Sequence, residues 1–403
     1  MVENVLARFQ SISMSSPKDR PEVDRIRALK PQTIQQMVLN IMKNLTSLTR
    51  LNIDILAEHH LSFSQATPSF FVEGWQAFGR NLTTLHLSVP LEDLHLVLPT
   101  GPTKLTSLRT LSVRILRPSG AFDKTDMRPK TLIPFISSHK TITSLALEAP
   151  GDIDLSFLLR HLIIMPSLRT FIFEQTFFSL VGADFSGLDQ FLHTHQTRIR
   201  DLNIGIISQV GRDYSHLFFS HTCFRVPLPV IERLSVNLPS IYTTGYGPYA
   251  IQYKATLTSL TIKEVAFPHY VFTQLITHLA SPGILRELEI SIFCLKASVF
   301  HHLAINLPSL EVLTLHFLSV AGAKKRVSLP PLKVRLDIVS WLFICITSLP
   351  KKCTRYPFRN GNCTPLILDG YMWILQCGRI TKLPYWPYYP TSKPFRALAE
   401  SNI

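Results

Sequence analysis

Leu108-Arg-Thr-Leu111-Ser-Val113, Ile142-Thr-Ser-Leu145-Ala-Leu147 and Leu168-Arg-Thr-Phe171-Ile-Phe173 are three versions of one hexad, Leu-x-x-Leu-x-Leu, in which Val, Ile or Phe can stand for Leu. Leu48-Thr-Arg-Leu51-Asn-Ile53 and Leu82-Thr-Thr-Leu85-His-Leu87 precede them. Ile199-Arg-Asp-Leu202-Asn-Ile204, Ile231-Glu-Arg-Leu234-Ser-Val236, Leu257-Thr-Ser-Leu260-Thr-Ile262, Leu285-Arg-Glu-Leu288-Glu-Ile290 and Leu310-Glu-Val-Leu313-Thr-Leu315 follow. Measured between middle leucines, the steps are 34, 26, 34, 26, 31, 32, 26, 28 and 25 residues. Ten such hexads in series are beyond chance, and a period of this length marks a solenoid in which each unit buries its apolar face against the next.

Each hexad ends in a period-two alternation that sends Leu51 and Ile53 to one face and Arg50, Asn52 and Asp54 to the other, the pattern of a short strand with one buried side. Between strands, apolar residues recur three or four apart over 70–80, 131–138, 157–164, 188–195, 270–279 and 299–307, which predicts helices. Strand and helix in regular alternation give an α/β solenoid with a parallel sheet on the concave face and helices on the convex face. Leu145 and Leu202 belong to its expected core.

These hexads resemble the leucine-rich repeat family, specifically the irregular repeats of fungal F-box-like proteins, where phrases such as LPSLRTLxL recur. The resemblance covers residues 45–318. It implies a non-enzymatic protein-binding scaffold, with substrate recognition in ubiquitin-dependent degradation as the role and a ubiquitin-ligase adaptor as a partner. The chain departs from the family in two ways. The family often has Asn or Cys three residues after the last strand leucine, bonding the backbone of the adjacent turn; here Leu56, Pro90, Leu116, Pro150, Thr176, Ile207, Pro239, Val265, Phe293 and Leu318 stand there. Buried backbone groups still need partners, so irregular turns satisfied in other ways are expected. An F-box would be a helical module opening on Leu-Pro, and no such segment is recognisable.

Composition fits a long core: 403 residues, 46% hydrophobic, with 28 Pro and 16 Gly. The net charge of +14 is unevenly spread. Residues 324–403 hold 13 Lys and Arg against 3 acids, which leaves 28 against 24 for residues 1–323. The outward strand positions are mixed in sign: Asp54, Glu148, Glu174, Asp201, Glu287 and Glu289 against Arg50, Arg114, Arg233 and Lys263, with Asn52 and His86 among them. A face that neutralises phosphates would carry one sign. These twelve residues are therefore the candidate site for a protein partner on the concave face.

Residues 1–44 form an N-terminal segment with no apolar run of signal-peptide length, so an intracellular protein, cytoplasmic or nuclear, is expected. Within it, residues 31–44 read as an amphipathic helix with Ile34, Met37, Val38, Ile41 and Met42 on one side, suited to capping the first repeat of a solenoid spanning 45–323. Leu332 to Ile338 approximates an eleventh hexad with one residue extra, and the apolar run 338–349 is too short to cross a bilayer. The rest of 324–403 holds Cys345, Cys353, Cys363, Cys377 and the cluster Leu383-Pro-Tyr-Trp-Pro-Tyr-Tyr-Pro390. Three readings of it stand: a divergent cap, mispredicted sequence, or a basic aromatic segment for nucleic acid or anionic lipid, in which cations meet phosphate and Tyr or Trp stack.

Nothing in the chain assembles an active site, and no cofactor is implied. Cys353, Cys363 and Cys377 lack the paired spacing of a zinc site. His59-His60, His193-x-His195 and His301-His302 have no obvious acid beside them, and core or surface roles are expected for them. No Gly-x-Ser-x-Gly, phosphate-cradling glycine loop or His-Glu-x-x-His is present. The glycosylation patterns at Asn44, Asn81 and Asn362 are read as coincidental without a signal peptide.

Overall fold

The structure, a computed structural model, describes residues 44–55, 67–99, 105–117, 127–150, 152–177, 183–208, 219–237, 246–280 and 283–320. It also describes the isolated positions 33, 37, 40 and 41 and the strand backbones of 332–335, 365–368, 371–376 and 379–384. The chain forms two compact units, Met1–Val265 and Ala266–Ile403.

In the first unit, eight strands follow one another as parallel neighbours: β1 (Arg50–Asp54), β2 (Thr84–Pro90), β3 (Thr110–Leu116), β4 (Ser144–Pro150), β5 (Thr170–Phe177), β6 (Asp201–Ser208), β7 (Arg233–Asn237) and β8 (Ser259–Phe267). Helices intervene: α1 (Thr67–Phe78), α2 (Leu94–Val97), α3 (Leu132–Ser138), α4 (Leu155–His161), α5 (Ser186–His195) and α6 (Tyr246–Ile251). The hexads align residue for residue, so Leu51, Leu85, Leu111, Leu145, Phe171, Leu202, Leu234 and Leu260 form one ladder. From Leu85 onward that ladder is buried, as are Trp75, Phe78 and Phe191 from the helices, and each such side chain contributes about 1.5–3 kcal/mol by leaving water. The fold is an α/β repeat fold, with parallel strands and helices in alternation.

The strand starts are pinned by a shared carbonyl. Thr49 O accepts the N–H groups of Thr83 and Thr84, Thr83 O those of Arg109 and Thr110, and Arg109 O those of Thr143 and Ser144. The same fork continues through Thr143, Arg169, Arg200 and Glu232. A slip of one residue would turn the apolar set outward, so register and burial enforce each other.

The missing asparagines have a physical explanation. The strands run 7 or 8 residues in β2–β6 and 9 in β8, so Pro90, Leu116, Pro150, Thr176, Ile207 and Val265 are still in extended strand, and the first five of them stand in the parallel ladder. Three residues past a buried leucine is an odd offset, so Leu116, Pro150, Thr176 and Ile207 turn away from the core, whereas Pro90 is buried. Elsewhere polar side chains tie one repeat to the next. Gln175 donates to Ile153 O at 2.9 Å, Trp75 Nε1 to Val97 O at 2.9 Å and the Tyr253 hydroxyl to Val226 O at 2.9 Å. The expected irregular turns are thus long regular strands plus side-chain ties.

Helix α4 begins two residues earlier than periodicity suggested, because the Asp154 carboxylate accepts the Phe157 N–H at 2.7 Å and caps it. It also ends three residues earlier. Leu162 is extended, and Pro166 disfavours helix at the residue before it, so Ile163 and Ile164 leave the helix and stand exposed. Gly187, one residue into α5, sits against the Ser156 backbone where no Cβ would fit, and its N–H donates to Ser156 Oγ at 2.7 Å. The described positions of the N-terminal helix are helical, but Met37 and Ile41, expected on a capping face, are exposed; Ile34, Val38 and Met42 lie outside the described residues.

In the second unit, α7 (His269–Leu279) and α8 (Ala297–Asn306) alternate with β9 (Glu287–Leu295) and β10 (Val312–Val320), which pair in parallel. At the position of the missing asparagine, Phe293 and Leu318 lie in strand and are exposed. β11 (Leu332–Arg335), where an eleventh hexad was expected, runs antiparallel to β10 and so returns along it, opposite in sense to β9 and β10. β12 (Pro365–Leu368), β13 (Tyr371–Gln376) and β14 (Arg379–Pro384) form an antiparallel meander.

Candidate interaction face

The sheet side turned away from the core of the first unit presents three rows of side chains, one residue per strand in each row. The first runs Arg50, Thr84, Thr110, Ser144, Thr170, Asp201, Arg233, Ser259. The second runs Asn52, His86, Ser112, Ala146, Ile172, Asn203, Ser235, Thr261, and the third Asp54, Ser88, Arg114, Glu148, Glu174, Gly205, Asn237, Lys263. Ten of the twelve candidate residues therefore share one face. Glu287 and Glu289 sit on β9 of the second unit, where Glu289 meets His316 at 3.2 Å.

Strand register decides which of these charges meet. Arg114 stands opposite Glu148 and reaches it at 3.0 Å. Arg233 stands opposite Asp201 and clasps it with two bonds, Nε to Oδ1 at 2.7 Å and Nη2 to Oδ2 at 2.8 Å; the Thr170 hydroxyl donates to the same carboxylate at 3.0 Å. Glu174, between the two pairs, makes no ion pair among the described residues and receives Asn203 Nδ2 at 3.5 Å. Its side chain lies over Gly205, where an added Cβ would come within 2.9 Å of the Glu174 Cγ. Burial holds the Glu148 carboxyl above its ordinary value, with Arg114 pulling it down and Glu174 pushing it up. The centre of the face thus has three carboxylates and two guanidiniums, with Glu174 the uncompensated one.

Spacing alone placed these residues on one side, but it could not pair them, because pairing depends on which hexads become neighbours and on equal register. The role of Gly205 had no sequence signal. The histidines are also clearer in the structure. His195 is buried; one ring nitrogen faces Phe191 O at 2.9 Å, and the other accepts the Met165 N–H at 3.0 Å. His139 does the same, with Phe135 O at 2.6 Å and the Leu105 N–H at 3.2 Å. In both cases a phenylalanine one helical turn earlier lies against the imidazole, with ring centres 4.7 Å apart for Phe135–His139 and 4.3 Å for Phe191–His195. Phe-x-x-x-His at a helix end is the signal that could have found these ties.

His193 lies 3.8 Å from Asp189, and His302 contacts Thr273 O and Thr277 Oγ1. His59, His60, Cys353, Cys363 and Cys377 lie outside the described residues. Among the described residues no group of three or more His, Cys, Asp or Glu could hold a metal ion, and no helix is long and apolar enough to cross a membrane. Cys223 is buried, which pushes its thiol up to about 12.

No protein-family model matches the chain, and no curated protein matches it. Among solved structures it is similar to the leucine-rich repeat-containing protein LegL7 from Legionella pneumophila, at 12% identity and a TM-score of 0.43, over 76% of this chain and 91% of that one.

Proposed function

We propose that the first unit is a protein-interaction scaffold and that the open side of its sheet is the recognition surface. The observation that carries this reading is the three rows of mostly polar side chains across eight parallel strands, interrupted at Ala146 and Ile172, mixed in sign and centred on Glu174, which makes no ion pair among the described residues. Side chains fixed in register on a rigid sheet lose little freedom on binding, so complementary charge on a partner converts into specificity. By its resemblance to fungal F-box-like repeats, the role is substrate recognition in ubiquitin-dependent degradation within the cell.

Affinity capture from source cells with mass spectrometry tests both levels. The wild-type chain is expected to retain partners that Glu174→Lys and the double reversal Arg114→Glu/Glu148→Lys lose, with thermal midpoints unchanged. Equal capture by both variants removes the face from the reading. Recovery of adaptor and cullin subunits supports the degradation role; their absence, with other proteins captured through the same face, leaves a recognition scaffold outside that pathway.

A further inference from the structure

The connections that lead from helix to strand carry a second surface, distinct from the sheet face. Before β2 to β6 their described residues are 79–83, 98–99, 105–109, 139–143, 162–169 and 196–200, and together these contain six Lys and Arg and no Asp or Glu. Arg80, Arg109, Lys140, Arg169 and Arg200 are exposed. Among the described residues Arg80, Arg109, Lys140 and Arg169 make no ion pair, while Arg200 meets Glu232 at 2.7 Å. A cation in the last turn of a helix complements the helix dipole, but Arg109 and Arg169 each immediately precede a strand, so that explanation does not cover them. The shared-carbonyl fork brings the strand starts side by side, about 4.8 Å apart per strand, which puts Arg109, Arg169 and Arg200 in one row, while Arg80 and Lys140 each stand four residues before a strand of the same series.

The same edge exposes apolar groups. Ile163 and Ile164, 46% and 55% exposed, occupy the α4–β5 connection, between Arg160–His161 and Arg169. Leu45, in the turn before β1, is 40% exposed. The five connections contain no Phe, Tyr or Trp. Single-stranded nucleic acid binders interleave cations with aromatic rings on which bases stack, and this edge has none. A row of cations around two protruding isoleucines instead matches an anionic lipid surface: the cations are attracted to the headgroups, and the branched chains enter the boundary beneath them.

We infer that the helix-to-strand edge of the first unit is a peripheral docking surface for anionic membranes, with Arg80, Arg109, Lys140 and Arg169 supplying attraction and Ile163 and Ile164 shallow insertion. It goes beyond the protein-recognition reading and leaves the sheet face free for a partner.

Sedimentation of the full chain with phosphatidylcholine vesicles, with and without phosphatidylserine, tests it. Binding is expected only with phosphatidylserine and is expected to weaken with salt. Arg109→Glu/Arg169→Glu should lower partitioning at least about ten-fold, given the per-cation attraction to such surfaces. Ile163→Ser/Ile164→Ser should lower it several-fold while keeping the salt dependence. Arg80→Glu/Lys140→Glu repeats the charge test at other exposed positions in case the first pair perturbs folding, which thermal melting reports. Failure of the wild-type chain to bind overturns the inference. So does equal partitioning by the arginine variants, which would assign binding to the basic residues 324–403. Unchanged binding by the isoleucine variant, with a single-stranded oligonucleotide bound through the same arginines, would make the partner nucleic acid.

Discussion

Arg233 holds Asp201 from the neighbouring strand in a two-bonded clasp, with one oxygen of the carboxylate at 2.7 Å and the other at 2.8 Å. The pair stands in register, so its geometry is set by the sheet rather than by two wandering side chains. Arg233→Asp would set two carboxylates against each other and should lower stability by about 0.5–1 kcal/mol, the range for solvent-accessible pairs. The swap Asp201→Arg/Arg233→Asp should regain most of that loss in thermal melts. Additive losses in the swap would mean that the clasp contributes no coupling.

Glu174 raises the Glu148 pKa through like charge, after burial as the larger cause. Replacing Glu174 by Gln removes the repulsion and keeps the shape. The Glu148 carboxyl should then titrate at lower pH, while burial still holds it above where Arg114 alone would put it. Carboxyl NMR titration of both proteins reads the difference, and an unmoved Glu148 would show that the two side chains point apart in solution.

Burial holds the His195 imidazole below its ordinary value; the bond to Phe191 opposes this and Arg198 adds to it. The unfolded chain, with a His pKa of about 6.5, therefore takes up the proton first as pH falls. Stability from this group is complete above that value and is lost as pH drops from there through the lowered folded pKa. His195→Leu leaves the buried Met165 N–H without its acceptor and should cost about 1–3 kcal/mol at pH 7. At pH 5 the difference between wild type and variant should shrink, because the wild type alone must discharge or bury a charged ring. A constant difference between the two pH values would remove His195 as the titrating group.

The repeating strand and its buried face were legible because period two and the recurrence of the hexad are properties of single residues and their spacing. Leu145 and Leu202 fell in the core as expected. The end of α4 was misread because apolar spacing runs on through Ile163 and Ile164, while the cap at Asp154 and the proline at 166 decide where the helix lies. The absence of asparagine was read as irregular turns because strand length, not residue identity, decides whether Ile207 still lies in strand. The sites were half legible: parity put Arg114, Glu148 and Glu174 on one side, but only the pairing of β3 with β4 and β4 with β5 shows that Arg114 is occupied and Glu174 is not.

Leu51 and Leu145 hold the same place in the hexad and the same row of the sheet, yet Leu145 is fully buried and Leu51 only half-buried, because among the described residues β1 has a strand partner on one side only. Leu145→Ala removes a side chain packed on all sides and should cost about 2–5 kcal/mol, transfer and cavity terms together. Leu51→Ala loses less buried area and leaves a site open to water rather than a closed cavity, so it should cost well under half as much. Urea unfolding of the two variants compares them directly. A loss at Leu51 equal to that at Leu145 would mean that the first strand is covered in solution, and would place a tightly packed cap on the N-terminal end of the repeats.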